Sequence, residues 1–399
     1  MGRVLMAWEL GLNLGHLYPI SWLAARFREH GHEVVFCLKQ THGAPGILGS
    51  DAWILPAPSP PERPAAKEPK LLNYADLLVH HGYGAPAELE RLLLGWRAVL
   101  EEAQPDVVVA DHAPTALLAA RSKGVPAAVY GIGFLVPPRE APLPPFRWWK
   151  ASPGRARLRR LERTALEPAN ELLRRHGARP MERLADLPDA PVRALTTVPC
   201  LDDYPRRPAT EPYYGLLHHP GGGAWPGWPE GDGARVLGYL RLAYPSGRRI
   251  LEALERLPVR ALVCVPDADE QLLADFAHSG RLRVTRQPLD VAHGARECDL
   301  GVGYGSIGFV TDLLRHGKPL LAAPPFVQHA MVAMRVSRAG AGVFAAPGWE
   351  AETYEGWLRR LLEDPGYARA ARRMAEEIAA YPSGREVACR IVEECEERL

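Results

Sequence analysis

The first 38 residues constrain the fold more than any other stretch. Arg3 to Trp8 is a short apolar run that reads as a buried strand, and Glu33 to Leu38 reads as a second. Between them stands Leu10-Gly11-Leu12-Asn13-Leu14-Gly15-His16-Leu17-Tyr18-Pro19. A helix follows, with Ile20, Leu23, Ala24 and Phe27 at the i, i+3, i+4, i+7 spacing of one buried stripe and Gly31 at its carboxyl cap. Strand, glycine loop, helix and strand in that order begin an α/β sheet. Ligands bind such sheets in the crevice beyond the strand ends. His16 lies at the loop tip, and a histidine there can act as a base near neutral pH.

The same alternation recurs along the chain. Asp106 to Ala110 reads as a strand, followed by Asp111-His112-Ala113-Pro114 and a helix to Ser122; Pro126 to Tyr130 is the next strand. Two proline-rich stretches, 56–69 and 137–149, are expected to be loops. The second carries Phe146, Trp148 and Trp149, which can line a binding site or simply pack the loop down. Residues 205–233 are dense in Pro and Gly and lack periodicity, so the domain boundary falls there. A second series follows, with strands expected at 235–240, 259–265, 281–285, 299–302, 319–323 and 342–344 and helices at 246–256, from the glycine turn to 316, and at 328–338. Residues 350–399 read as helices broken at Asp364-Pro365-Gly366 and Tyr381-Pro382-Ser383-Gly384. The expected organisation is an N-terminal Rossmann-like domain (1–205), a linker (206–233), a C-terminal Rossmann-like domain (234–380) and a last helix (381–399) packing back on the first domain. Both halves imply doubly wound parallel sheets.

Length and composition agree. A chain of 399 residues suits two domains of ~200 residues. A net charge of +1 gives no global attraction to nucleic acid or anionic membrane. The rich use of Arg over Lys reads as a GC-rich, bacterial genome. The cysteines at 37, 200, 264, 298, 389 and 395 have no metal spacing, and the apolar strand contexts of Cys37, Cys264 and Cys298 suggest reduced, buried thiols in a cytoplasmic protein. No signal peptide is read, and no run reaches the ~20 apolar residues of a membrane helix.

Several constellations could carry chemistry. Gly303-Tyr304-Gly305-Ser306-Ile307-Gly308-Phe309 follows a buried strand and opens a helix, a geometry that offers backbone N–H groups to a phosphate, although tight packing alone also explains such a turn. No Walker lysine follows. Asp111, at the end of another strand, can orient His16 and fix its tautomer, or cap the helix near Pro114, or both. Glu9 is a second candidate carboxylate. His80-His81 and His218-His219 lack the spacing of a metal pair and read as surface histidines. Arg155 to Arg163 is a basic helix, read as a solvated face with phosphate or lipid contact as the alternative.

These segments resemble GT-B nucleotide-sugar glycosyltransferases of the UDP-glycosyltransferase and macrolide glycosyltransferase type. The carriers are Gly11, Gly15, His16, Pro19 and Asp111 in the first half. In the second they are Arg286-Gln287-Pro288-Leu289, Cys298-Asp299, the glycine turn, Pro324-Pro325-Phe326 and Arg335 to Gly342. The resemblance implies a GT-B fold, two Rossmann-like domains facing a central cleft. It implies inverting, hexosyl-type, metal-independent transfer from a UDP- or dTDP-sugar co-substrate to a small or lipid-like acceptor, with no other cofactor and no nucleic acid partner. His16 would be the base and Asp111 its support; Gly303 to Phe309 would hold the diphosphate. Gln287, Pro288 and Leu289 would lie at the nucleobase, Gln328 and His329 at the sugar, and Gly15, Trp148 and Trp149 at the acceptor. The chain departs from the family's His-Gly-Gly-x-Gly-Thr/Ser turn: Tyr304 stands for the His and Phe309 for the hydroxyl. The family's Asp-Gln pair is Gln328-His329, and the following Asn is Val332. Each lost partner is worth ~1–3 kcal/mol, so an ordinary UDP-glucose site would weaken ~10²-fold or more. A GT-B ligand-binding protein without transferase activity, or a nucleotide-sugar epimerase or hydrolase, are the alternative readings.

Overall fold

The computed structural model describes residues 2–11, 15–60, 70–217 and 222–398. Much of the expected 56–69 loop, and the whole His218-His219 pair, lie outside the described residues. The chain divides into two compact units, Met1–His218 with Pro382–Leu399, and His219–Tyr381.

In the first unit the elements run β1 (Arg3–Trp8), α1 (Leu17–Glu29), β2 (Glu33–Leu38), α2 (Pro45–Leu48), β3 (Trp53–Pro56) and α3 (Tyr74–Leu78). They continue as α4 (Pro86–Ala103), β4 (Val107–Asp111), α5 (Pro114–Lys123), β5 (Ala127–Gly131), α6 (Arg155–Arg175) and β6 (Val192–Leu195). The second unit runs β7 (Ala234–Tyr239), α7 (Pro245–Arg256), β8 (Val259–Cys264), α8 (Glu270–Phe276), β9 (Leu282–Thr285), α9 (Val291–Glu297) and β10 (Leu300–Gly303). After these come α10 (Ile307–Arg315), β11 (Leu320–Ala322), α11 (Val327–Arg338), β12 (Gly342–Phe344), α12 (Ala351–Glu363) and α13 (Pro365–Ala379). The last helix, α14 (Arg385–Arg398), returns to the first unit.

Each unit is built on one six-stranded parallel sheet, in the orders β3-β2-β1-β4-β5-β6 and β12-β11-β10-β7-β8-β9. In both, the first strand formed lies beside the fourth, so the strand order reverses between β1 and β4 and between β7 and β10. Loops leaving the carboxyl ends of those strands diverge to opposite faces and open a crevice. The central strands are apolar on both faces because helices cover both: β4 is buried throughout. In the first unit, one layer of core joins Val4, Met6 and Trp8 of β1 to Ile20, Leu23 and Phe27 of α1. Val387, Ile391 and Val392 of α14 complete that layer. Asp269, Asp290 and Asn73 cap their helices through side-chain oxygens that accept from the backbone three residues on.

Candidate active site

The first unit's crevice holds His16 and Asp111 together. The Nδ1 of His16 lies 3.1 Å and 3.2 Å from the two carboxylate oxygens of Asp111. The pairing fixes the proton on Nδ1 and leaves the lone pair on Nε2, which has no hydrogen-bond partner among the described residues. The His16 side chain is 17 % exposed and that of Asp111 only 3 %, so a molecule in the crevice reaches the imidazole and not the carboxylate. Beneath the ring lies Trp8, stacked at 4.9 Å between centroids. Trp8 pairs in register with Asp111 across β1 and β4, and its indole N–H donates to the carbonyl of Leu10 at 2.7 Å. Gly11, at φ +93, closes the other side: a Cβ there would stand well under 3.0 Å from Nε2.

A third group joins this pair. The hydroxyl of Tyr130 donates to the second oxygen of Asp111 at 3.2 Å. Burial, and then the neighbouring Asp111 charge, push this phenol well above its ordinary value, so it remains a donor. Tyr130 pairs with Asp111 across β4 and β5, a proximity visible only once strand order is known.

The capping role goes to Glu9, not Asp111. The Thr115 N–H at the start of α5 donates to the Glu9 carboxyl at 2.7 Å, whereas no side chain of the preceding residue caps that helix. Burial raises the Glu9 carboxyl to about 7, against the lowering by its bonds to Thr115. His112 follows Asp111 in a left-handed conformation, φ +45. Both its ring nitrogens are buried without hydrogen-bond partners among the described residues, between the rings of Tyr74 and Phe134. Burial, with His16, His81 and Lys39 nearby, keeps that imidazole neutral. His80 and His81 sit half-buried on a π-turn over Val79–Tyr83, with Nδ1 of each on a backbone carbonyl at 2.8 Å. The expected acceptor residues lie in the same unit. Gly15 is exposed, and none of the described residues would crowd a Cβ there. Trp148 and Trp149 meet edge to face at 5.3 Å, and the Trp148 indole donates to the Asp203 carbonyl.

In the second unit the glycine turn lies at the mouth of β10. Ser306 occupies the cap position of α10 but makes no capping bond, so the first-turn N–H groups of Ile307, Gly308 and Phe309 have no intrahelical acceptor. Gly305 has φ +86, and a Cβ on it would lie 2.8 Å from the His329 carbonyl; α11 therefore packs directly on the turn. The His329 Nδ1 is buried without a hydrogen-bond partner among the described residues, and burial lowers that imidazole to about 4. Gln328 is half-buried beside it. Tyr304 turns into the core. Its hydroxyl donates to the Arg241 carbonyl at 2.7 Å and accepts from the Arg241 N–H, which ties the loop after β7 to the loop after β10. The phenol thus fills this sheet's own reversal point. Phe309 is also buried, against Gly303. Of the nucleobase candidates, Gln287 and Pro288 are exposed and Leu289 is buried, with the Pro288 carbonyl accepting from Ala224 at 2.8 Å.

Among the described residues no group of His, Cys, Asp and Glu could hold a metal, and no helix is long and apolar enough to cross a membrane. All six cysteines are free.

Residues 248–394 match the family of erythromycin biosynthesis protein CIII-like C-terminal domains. The chain is 28 % identical over 310 residues to the elloramycin glycosyltransferase ElmGT of Streptomyces olivaceus, covering 75 % of this chain and 72 % of the relative. It is 24 % identical over 366 residues to a PGL/p-HBAD biosynthesis glycosyltransferase of Mycobacterium tuberculosis, covering 85 % and 82 %. In fold it is similar to the glycosyltransferase VinC, solved with dTDP, at a TM-score of 0.71 with 19 % identity over 99 % of this chain and 100 % of that one. The spinosyn rhamnosyltransferase SpnG gives 0.69 and 20 % over the full length of both. The fold is GT-B, and the resemblance to macrolide-type GT-B glycosyltransferases read from the sequence is borne out.

Proposed function

We propose that this chain is an inverting glycosyltransferase that moves a sugar from a UDP- or dTDP-type donor to a hydroxyl of a small or lipid-like acceptor, without a metal. The observation that carries the reading is the His16–Asp111 pair, whose geometry leaves Nε2 unclaimed at the mouth of the crevice. Nε2 takes the acceptor's hydroxyl proton. Asp111, held by Tyr130, steadies the imidazolium through Nδ1–H. The hydroxyl oxygen attacks the anomeric carbon from the face opposite the leaving group, the bond from that carbon to the phosphate oxygen breaks, and the configuration inverts. The departing diphosphate gathers charge, which the Ile307, Gly308 and Phe309 N–H groups, the Ser306 hydroxyl and the positive end of α10 stabilise in this reading. The likenesses to VinC with dTDP and to SpnG with thymidine diphosphate support a thymidine donor over a uridine one. His329, neutral and unpartnered beside the turn, supplies one polar contact for the sugar.

A second reading, a GT-B ligand-binding protein without transfer, draws on Tyr304, whose ring occupies the β7–β10 reversal point. Two measurements separate the readings. Wild-type protein should be stabilised against heating by dTDP or UDP and should release nucleotide from a matching sugar donor when an acceptor panel is supplied. His16→Ala should keep the stabilisation and lose turnover by ~10²–10⁴-fold. Unchanged turnover in His16→Ala would remove His16 as base, and nucleotide binding without turnover across the panel would favour the second reading.

A further inference from the structure

We propose that the first half of α6, with Lys150 just before it, docks on an anionic membrane surface. Residues 150–163 carry Lys150, Arg155, Arg157, Arg159, Arg160 and Arg163, all exposed, in a chain whose net charge is only +1. The one acid in that span, Glu162, is turned inward, where it accepts the Leu143 N–H at 2.6 Å. Among the described residues, none of these six cations makes an ion pair. At the far end of the same helix, Arg174 and Arg175 pair with Glu171, and Arg175 reaches Glu90.

The crowding has a cost inside the molecule and no return there. Arg155, Arg159 and Arg163 follow one another at i, i+4, and Arg157, Arg160 and Arg163 at i, i+3, spacings at which like charges repel. The opposite face of the helix buries Leu158, Ala165, Ala169, Leu172 and Leu173, so α6 is anchored to its own unit and presents the cations outward. A surface of anionic headgroups supplies the missing counter-charge, with each cation adding to the attraction. Trp148 and Trp149, half-buried immediately before Lys150, are the amphipathic rings that favour the headgroup level of a bilayer. Aromatic side chains are not interleaved among the cations themselves, as stacking on single-stranded nucleic acid would require.

The test is co-sedimentation of the full chain with vesicles, read without any sugar donor, so that its failure leaves the proposed transfer reaction standing. Vesicles of phosphatidylglycerol and phosphatidylcholine should bind the protein at low ionic strength and release it at high; vesicles of phosphatidylcholine alone should not bind it. Changing Arg157, Arg159, Arg160 and Arg163 together to Gln should weaken binding on the order of 10²-fold or more, and changing the same four to Lys should preserve it. Both variants should keep the wild-type melting midpoint, because all four side chains are exposed. Absence of binding to anionic vesicles at low salt overturns the proposal. So does a Gln variant that binds as wild type does, or a preference for a single-stranded RNA oligomer over the vesicles at equal phosphate.

Discussion

Gly11 and the Nε2 of His16 are in contact, and the contact leaves no room for a side chain. At φ +93 residue 11 already sits where L side chains are strained, and a Cβ would enter the imidazole's own space. Gly11→Ala should therefore displace the ring from Asp111 and lower transfer by ~10²-fold or more. Thermal stabilisation by dTDP or UDP should stay at the wild-type level, since the proposed nucleotide contacts lie on the other unit. Equal turnover in Gly11→Ala would show that Nε2 does not work from this position.

Tyr304 answers a different question. Its hydroxyl both donates to and accepts from the Arg241 backbone. Tyr304→Phe keeps the ring and removes both hydrogen bonds to the Arg241 backbone, whose carbonyl retains only the long contact from the Tyr244 N–H at 3.4 Å, so it should cost about 1–3 kcal/mol of stability in urea unfolding. If the phenol occupies space a donor needs, Tyr304→His should also tighten nucleotide binding by roughly tenfold, a gain of one hydrogen bond.

The sugar position can be tested by addition. Gln328 stands where the resembled family has a carboxylate. Gln328→Asp should raise affinity for hydroxyl-rich donors such as UDP-glucose by about tenfold, the worth of one charged hydrogen bond, and leave free UDP unaffected. Isothermal titration of both ligands separates the two effects.

Glu9 predicts a pH dependence with a definite sign. Its carboxyl titrates near 7 in the folded chain against 4.5 unfolded, because burial disfavours the charge. The folded state therefore holds the proton more tightly, and the stabilisation is complete below about pH 4.5 and lost as pH rises through 7. Asp203 shifts the same way, also from burial, while His112 and His329 shift downward and oppose both in acid. The clean measurement is thus a difference. Relative to Glu9→Gln, which can still accept from Thr115, wild type should lose on the order of 3 kcal/mol between pH 5 and 8 in urea titrations.

The strands that carry these sites were legible because both sheet faces are covered. Continuous apolar runs such as Val107–Ala110 allow few other readings. The short outer strands β3 and β6 and the helix α4 escaped the sequence reading: β3 ends in a proline, and β6 is four residues with an arginine inside. His16 and Asp111 could be paired from sequence because Asp111 ends one strand and His16 lies on the loop that leaves the carboxyl end of another in the same sheet. Tyr130 could not, since its place beside Asp111 depends on β5 lying next to β4. His80-His81 read as surface loop, but a π-turn with non-helical geometry at His81 and Gly82 half-buries them, and no propensity rule anticipates such a turn. Glu9 was visible as a carboxylate, but its task as the cap of α5 is set by a residue 106 positions away in the chain.

The return of α14 to the first unit bears on how the protein is made. Val387, Ala388, Ile391, Val392 and Cys395 fill one layer of the core around β1 and α1, which leave the ribosome long before α14 does. The second unit is contiguous and can close while synthesis continues, whereas the first must wait, its core layer incomplete, until α14 has been made. Chain order and folding order are thus reversed: the domain that begins first is finished last, and chaperones that shield apolar helix faces have the longest opportunity to act on the His16 domain.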